Sequence, residues 1–267
     1  MTIAISTSVK EALLIVNGRQ IAKSAFFIVP DDPGVPCYFA AILTVPSTVE
    51  ARSVTIRINN DTGILAEIPI TLTPREFRSE TLRLNPTLTT LVTEPDPQRT
   101  LESNRLWQIL TTTGNQVYHD GPFLLPVTST RRTSSFGTRR INEYSNGRRT
   151  TSIHDGIDFG IPTGTEVMAS GRGMVILARP RIISGNSVIL EHAPGVYSIY
   201  YHLDSISVEE NTIIEAGTVI GLSGSTGFST GPHLHWEFRV STENTDPDAF
   251  TARPLIDKAL ITSKIFD

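Results

Sequence analysis

Short β-branched and apolar runs, each closed by a glycine, proline or asparagine turn, recur along this chain, and that pattern limits its fold more than any other feature. In the first 95 residues the runs are "EALLIVNG", "SAFFIVPDDPG", "CYFAAILTVP", "ARSVTIRINNDTG" and "ILAEIPITLTP". In "SVTIRI" the alternation is strict, which puts Val54, Ile56 and Ile58 on one strand face. Turn signals spaced about 8–12 residues apart predict a small β-sandwich of immunoglobulin-like type over residues 1–95. The stretch "NPTLTTLVTEPDPQRT" (85–100) reads as a proline-rich linker. "QRTLESNRLWQILTTTG" (98–114) reads as a helix capped by Thr100 or Ser103, with Leu106, Trp107 and Leu110 as its apolar stripe and Gly114 as its stop. From about residue 121 the strand pattern returns with more glycine. The expected organisation is therefore mainly β: an accessory sandwich (1–95), a linker and helix (96–120), and a second β domain (121–267) whose last residues, "RPLIDKALITSKIFD", form a short helix.

Composition removes several function classes. The formal net charge is −4, which disfavours nucleic acid as a partner. No apolar run is long enough to span a bilayer, so no transmembrane segment is expected. The single cysteine, Cys37, excludes an internal disulfide and a cysteine-rich metal site, and reads as a small buried apolar residue. No charged and apolar leader opens the chain, so export would require a signal already removed.

The six histidines carry the chemistry. In "GPHLHWEF", His233 and His235 stand two apart, which in a strand sends both to one face and Leu234 and Trp236 to the other. "HDGIDFG" places His154 four residues before Asp158, and "YSIYYHLDS" brings His202 after Tyr201. Imidazole nitrogen and carboxylate oxygen are ordinary zinc ligands, and a catalytic zinc site takes three protein ligands and leaves a place for water. Three ligands from this inventory leave two histidines for acid–base work. No glutamate stands in a His-Glu-x-x-His pattern. His119 and His192 fit no such motif and read as structural.

The order His154-x-x-x-Asp158, Tyr201-His202-Leu203 and His233-x-His235 resembles the lysostaphin-type zinc metallopeptidases. "TSSFGTRR", "HDGIDFGIPTGTEVMASGRGMVI", "GNSVILEH" and "AGTVIGLSGSTGFSTGPHLHWEFRV" extend the likeness over residues 121–250. The resemblance implies an antiparallel β-sheet groove domain holding one Zn²⁺ on His154, Asp158 and His235, with His202 and His233 as catalytic histidines. It further implies a zinc metalloendopeptidase that hydrolyses peptide cross-links of bacterial peptidoglycan, of the D-alanyl–diaminopimelate type, in the periplasm or cell envelope. Arg139, from the arginine-rich stretch 131–149, Asn186 and Tyr201 are the candidate substrate-binding residues for peptide stems, and the "LSGSTGFSTG" loop is the expected groove wall. The accessory sandwich would hold the enzyme in place, bind an envelope protein partner, or cover the groove with "NNDTG" (59–63) or "PDDPG" (30–34). The rival expectation is a non-catalytic or latent peptidoglycan-binding module that activates another wall hydrolase.

Overall fold

The computed structural model describes residues 2–4, 9–29 and 38–260. Cys37 and the 30–34 loop lie outside them, as do residues 261–267 of the C-terminal segment expected to be helical. The first strands are β1 (Thr2–Ala4), β2 (Val9–Val16), β3 (Arg19–Ala25), β4 (Phe27–Val29), β5 (Tyr38–Ala41), β6 (Ser53–Asn60), β7 (Ile64–Thr71) and β8 (Ser79–Arg83). They make a four-stranded sheet in the order β3-β2-β6-β7 and a three-stranded sheet in the order β1-β5-β4. The chain passes from one sheet to the other at Phe26, between β3 and β4. On β6, Val54 and Ile58 are buried and Ile56 half-buried, as the alternation predicts. Strand β8 joins neither sheet.

Two helices follow, α1 (Pro86–Thr93) and α2 (Pro97–Thr111). The stretch 85–100 is therefore not a plain linker. Its prolines 86 and 97 each open a helix, at the position where a missing N–H costs nothing. Asn85 caps α1, its Oδ1 accepting from the Leu88 N–H at 2.8 Å. Asp96, rather than Thr100 or Ser103, caps α2 by accepting from Gln98 at 2.8 Å. The packed face of α2 is Ile109 and Leu110 with Leu106 beside them, while Trp107 is 60% exposed and takes no part. Gly114 lies beyond the helix end, where its N–H donates to Glu191.

The remaining strands are β9 (Arg132–Ser134), β10 (Arg139–Glu143), β11 (Arg149–Ile153), β12 (Ile157–Phe159), β13 (Glu166–Met168), β14 (Gly173–Arg181), β15 (Gly185–Ala193), β16 (Val196–Ile206), β17 (Ile213–Ile214), β18 (Val219–Ser223), β19 (Leu234–Val240) and β20 (Glu243–Thr245), followed by helix α3 (Asp248–Thr251). Ten of them form an antiparallel sheet whose main path runs β17-β14-β15-β16-β19-β12-β9. A smaller sheet runs β11-β10-β8, and β8 pairs with β10 in parallel. Thus a strand from the first 95 residues is hydrogen-bonded into the second half of the chain.

The large sheet is covered on both faces, which is why "NSVILEH" and "YSIYYHL" read as continuous apolar runs. Val188, Leu190, Val196, Tyr200, Trp236 and Phe238 point into the main core. Ile189, Tyr197, Ile199 and Tyr201 point the other way, against Ile109 and Leu110 of α2. Burying two such helix side chains contributes about 1.5–3 kcal/mol each. The face that α2 covers in part carries the groove.

Candidate metal centre

Register builds the site. Asp158 on β12 lies opposite His235 on β19, and His235 lies opposite Tyr201 on β16. Three neighbouring strands thus set a row of side chains across one sheet face. Their neighbours in sequence, Ile157, Phe159, Leu234, Trp236 and Tyr200, go into the core and anchor the row. His154 enters from the turn before β12, held by its own N–H on the Thr138 carbonyl and its carbonyl on the Gly137 N–H.

His202 needs a local irregularity. Tyr201 faces the groove, so alternation would send His202 into the core. Between the pairs Asn186↔Leu203 and Val188↔Tyr200, two residues of β16 stand against Ser187 alone. This bulge, with His202 at φ 62°, turns its side chain back into the groove and returns Leu203 to the core. A left-handed backbone at a non-glycine residue is strained. It is held by the His202 N–H on Ser184 O at 2.9 Å.

His154, Asp158 and His235 converge, all buried. Asp158 Oδ1 lies 3.0 Å from His154 Nε2 and 2.7 Å from His235 Nδ1, and the two nitrogens are 3.0 Å apart. Donors on one zinc ion at 2.0–2.1 Å sit about 3.3 Å apart in a tetrahedron. The far atom of each imidazole is engaged: His154 Nδ1 donates to Ser135 O at 3.0 Å and His235 Nε2 to Glu237 Oε1 at 2.9 Å. Those bonds set the tautomers that leave His154 Nε2 and His235 Nδ1 for a cation. The donor set and its spacing fit a divalent metal.

The electrostatics agree. Burial alone would raise the Asp158 carboxyl, but hydrogen bonds from His154 and His235 hold it well below the usual range. Burial would lower His235, yet Asp158 and Glu237 raise it to about 9. Glu237, fully enclosed, is kept at about 2 against the burial effect by Arg239 and His235. Burial, reinforced by His233 and His235, lowers His202 to about 3.

His202 and His233 flank the centre with ring centroids 4.8 Å apart. His202 Nδ1 donates to Thr226 O and His233 Nδ1 to Gly231 O, both at 2.8 Å, so each turns a bare Nε2 inward. His233 Nε2 is 3.8 Å from Asp158 Oδ1. Tyr201 stacks on His235 with rings 8° from parallel, and its hydroxyl accepts from Arg181. These side chains floor a groove of about 540 Å³, walled by Phe228 to Pro232 on one side and by Leu82 of β8 and Leu106 of α2 elsewhere.

Two expected groove residues lie elsewhere. Arg139 turns its guanidinium to the carbonyls of Gly137 and Ser47 and over the Phe77 ring, so it ties the two halves of the chain together. Asn186 donates to the Asp204 carbonyl in a turn. Neither lines the groove, and neither do residues 59–63. The arginines that do line it are Arg140, Arg181 and Arg239. His192 is enclosed between Arg172 O and Ser198 Oγ, and His119 contacts Pro122 O. Sequence reading missed Glu237, although His233, His235 and Glu237 alternate on one strand face and could have been found together. It also missed Glu80, whose parallel pairing beside Arg140 has no local signal.

The model for peptidase family M23 matches residues 152–247. The chain is 40% identical over 122 residues to the Neisseria meningitidis protein named DD-carboxypeptidase/endopeptidase Mpg, covering 46% of this chain and 27% of that one. It is also 40% identical over 116 residues to the Vibrio cholerae peptidoglycan DD-endopeptidase ShyA, covering 43% and 26%. The chain thus spans about a quarter of the length of these relatives. A Pseudomonas aeruginosa crystal structure bearing the peptidase M23 name shares the fold at TM-score 0.61 and 20% identity, over 92% of this chain and 90% of that one. With the converging His154, Asp158 and His235 inside the matched segment, residues 152–247 are a domain of peptidase family M23.

Proposed function

We propose that this protein is a zinc-dependent metalloendopeptidase that hydrolyses peptide cross-links of peptidoglycan, of the D-alanyl–diaminopimelate type, in the periplasm or cell envelope. The observation that carries the reading is the pairing of a buried His-Asp-His donor set with two inward-facing, bare imidazole nitrogens on one groove floor. Relatives named as DD-endopeptidases supply the substrate class.

His154, Asp158 and His235 hold the zinc, which when bound supplies a Lewis acid and lowers the pKa of water beside it. His202 and His233 handle protons. Two imidazoles this close take up one proton more readily than two, because the second charge is repelled by the first. One bare Nε2 accepts the proton of the attacking water, and the imidazolium so formed steadies the oxygen on which negative charge grows. The same proton then passes to the departing amine. The bonds from Nδ1 to Thr226 and Gly231 carbonyls keep both rings oriented for this.

Peptide stems lie along the groove. Arg181 lines the groove, where its Nη1 donates to Ser184 Oγ and Tyr201 Oη, and its guanidinium offers a positive charge to a stem carboxylate. Tyr201 forms the floor beneath it. The first two sheets serve as an accessory region that orients the enzyme toward its substrate or an envelope partner. Digestion of purified peptidoglycan by wild type and by His235→Ala, with bound zinc measured in both, tests the reading. Wild type should bind zinc and release new amino groups, and the variant should do neither. A wild type that binds zinc and cleaves nothing would instead favour a latent or binding role.

A further inference from the structure

We propose that Arg140, held in place by Glu80, is a positioning residue for the metal centre, so that strand β8 is part of the centre although it lies far outside the matched domain. The inference rests on the reading of His154, Asp158 and His235 as ligands of one divalent cation. Asp158 divides its two oxygens. Oδ1 faces the two histidines, and Oδ2 accepts from Arg140 Nη2 at 2.7 Å. The same guanidinium donates through Nε to Glu80 Oε1 at 2.6 Å. Glu80 Oε1 also accepts from Ser134 Oγ at 3.0 Å, and Ser134 is the strand partner of Asp158. Arg140 and Glu80 are themselves partners on parallel strands.

The geometry has a purpose that a surface ion pair lacks. Rotation of an aspartate carboxyl about its last side-chain bond is soft and roughly two-fold. A carboxylate with one oxygen unengaged can swing both atoms toward a cation or turn one away. The Arg140 fork removes that freedom and leaves a single oxygen for the metal. The Arg140 side chain is 18% exposed and that of Asp158 8% exposed, so water competes little for these bonds. Arg140 would also draw charge from Asp158, and Glu80 balances it: two carboxylates share one guanidinium, which leaves a net negative charge facing the cation. Partners of this kind behind a ligand typically change metal affinity about 10–100-fold when removed.

The test measures the zinc dissociation constant of the full chain by competition with a chromophoric chelator, together with the visible spectrum of the cobalt-loaded protein. Arg140→Ala should bind zinc about 10–100-fold more weakly than wild type and shift the cobalt bands. Arg140→Lys should recover part of the loss, since one ammonium cannot replace a fork between two carboxylates. Glu80→Gln should weaken binding in the same direction by less. Arg132→Ala, which removes a surface pair with Asp248, should leave the constant unchanged. Wild-type affinity and spectrum in folded Arg140→Ala and Glu80→Gln, or tighter binding in either, would overturn the proposal. If Arg140→Ala fails to fold, Glu80→Gln decides alone. A wild type that binds zinc but leaves peptidoglycan intact would overturn the proposed activity and not this inference. A wild type that binds no zinc would overturn both.

Discussion

Zinc uptake by this protein should expel a proton from His235. The ring is enclosed between two carboxylates, with Nδ1 2.7 Å from Asp158 Oδ1 and Nε2 2.9 Å from Glu237 Oε1. Burial opposes a charged ring, but the carboxylates prevail and raise its pKa to about 9. At pH 7 the ring is therefore roughly 99% protonated, and a cation must displace the Nδ1 proton to bind there. The competition costs about two orders of magnitude in apparent affinity at pH 7, or about 3 kcal/mol. The sign follows. Binding weakens about tenfold for each pH unit of acidification below 9 on account of this ring alone. It levels off as pH rises through 9. Asp158, held anionic by its histidines, adds no proton in this range. Calorimetric titration with zinc at pH 7, in buffers of different ionisation enthalpy, reads the protons released directly. Dissociation constants at pH 6, 7 and 8 give the slope. Glu237→Gln, which removes one carboxylate, should shift the plateau to lower pH. Zinc binding that releases no proton and does not vary between pH 6 and 8 would refute the reasoning, because His235 would then be neutral in the free protein.

Other outcomes follow from the same structure. His202→Ala and His233→Ala should each lower kcat on cross-linked muropeptides by about 10²–10⁴-fold while zinc content stays at the wild-type level, since neither ring belongs to the converging His154, Asp158 and His235 set. Arg181→Ala should raise KM for carboxylate-bearing stems and leave kcat nearly unchanged, and an unaltered KM would remove Arg181 from the substrate path. Gly156→Ala places a Cβ 2.2 Å from the Trp236 carbonyl oxygen, where β12 meets β19, so thermal unfolding should show a large loss of stability. Urea titration should separate the two faces of α2: Ile109→Ala costs about 2–5 kcal/mol, and exposed Trp107→Ala changes stability by less than about 0.5 kcal/mol.

The strand content and the histidine set were legible because both are written in short-range pattern. Alternation in "HLHWEF" depends only on the pleat, and it puts His233 and His235 on one face in any sheet that forms. The zinc-type donor inventory, and the exclusion of cysteine sites and disulfides, follow from residue chemistry. Helix α1 was harder, because Pro86 reads as a break until the cap Asn85 is seen beside it, whereas α2 was expected but with its cap at Thr100 or Ser103 instead of Asp96. Trp107 was misplaced because an apolar residue on a helix declares no direction; the position of the sheet beneath α2 decides which side is buried.

What only the tertiary structure decided is which groups meet. No spacing rule foretells that Tyr201, His235 and Asp158 form one row, since that is set by the register of three strands distant in sequence. The bulge at His202 depends on Ser187 in a neighbouring strand, and without it the same residue would point into the core. Arg139 and Arg140 are adjacent and chemically alike, yet one joins the two halves of the chain and the other grips Asp158. Their roles diverge because successive strand residues face opposite ways, and only the placement of β8 beside β10 assigns the faces. Local chemistry named the donors, and long-range pairing assembled them into a centre.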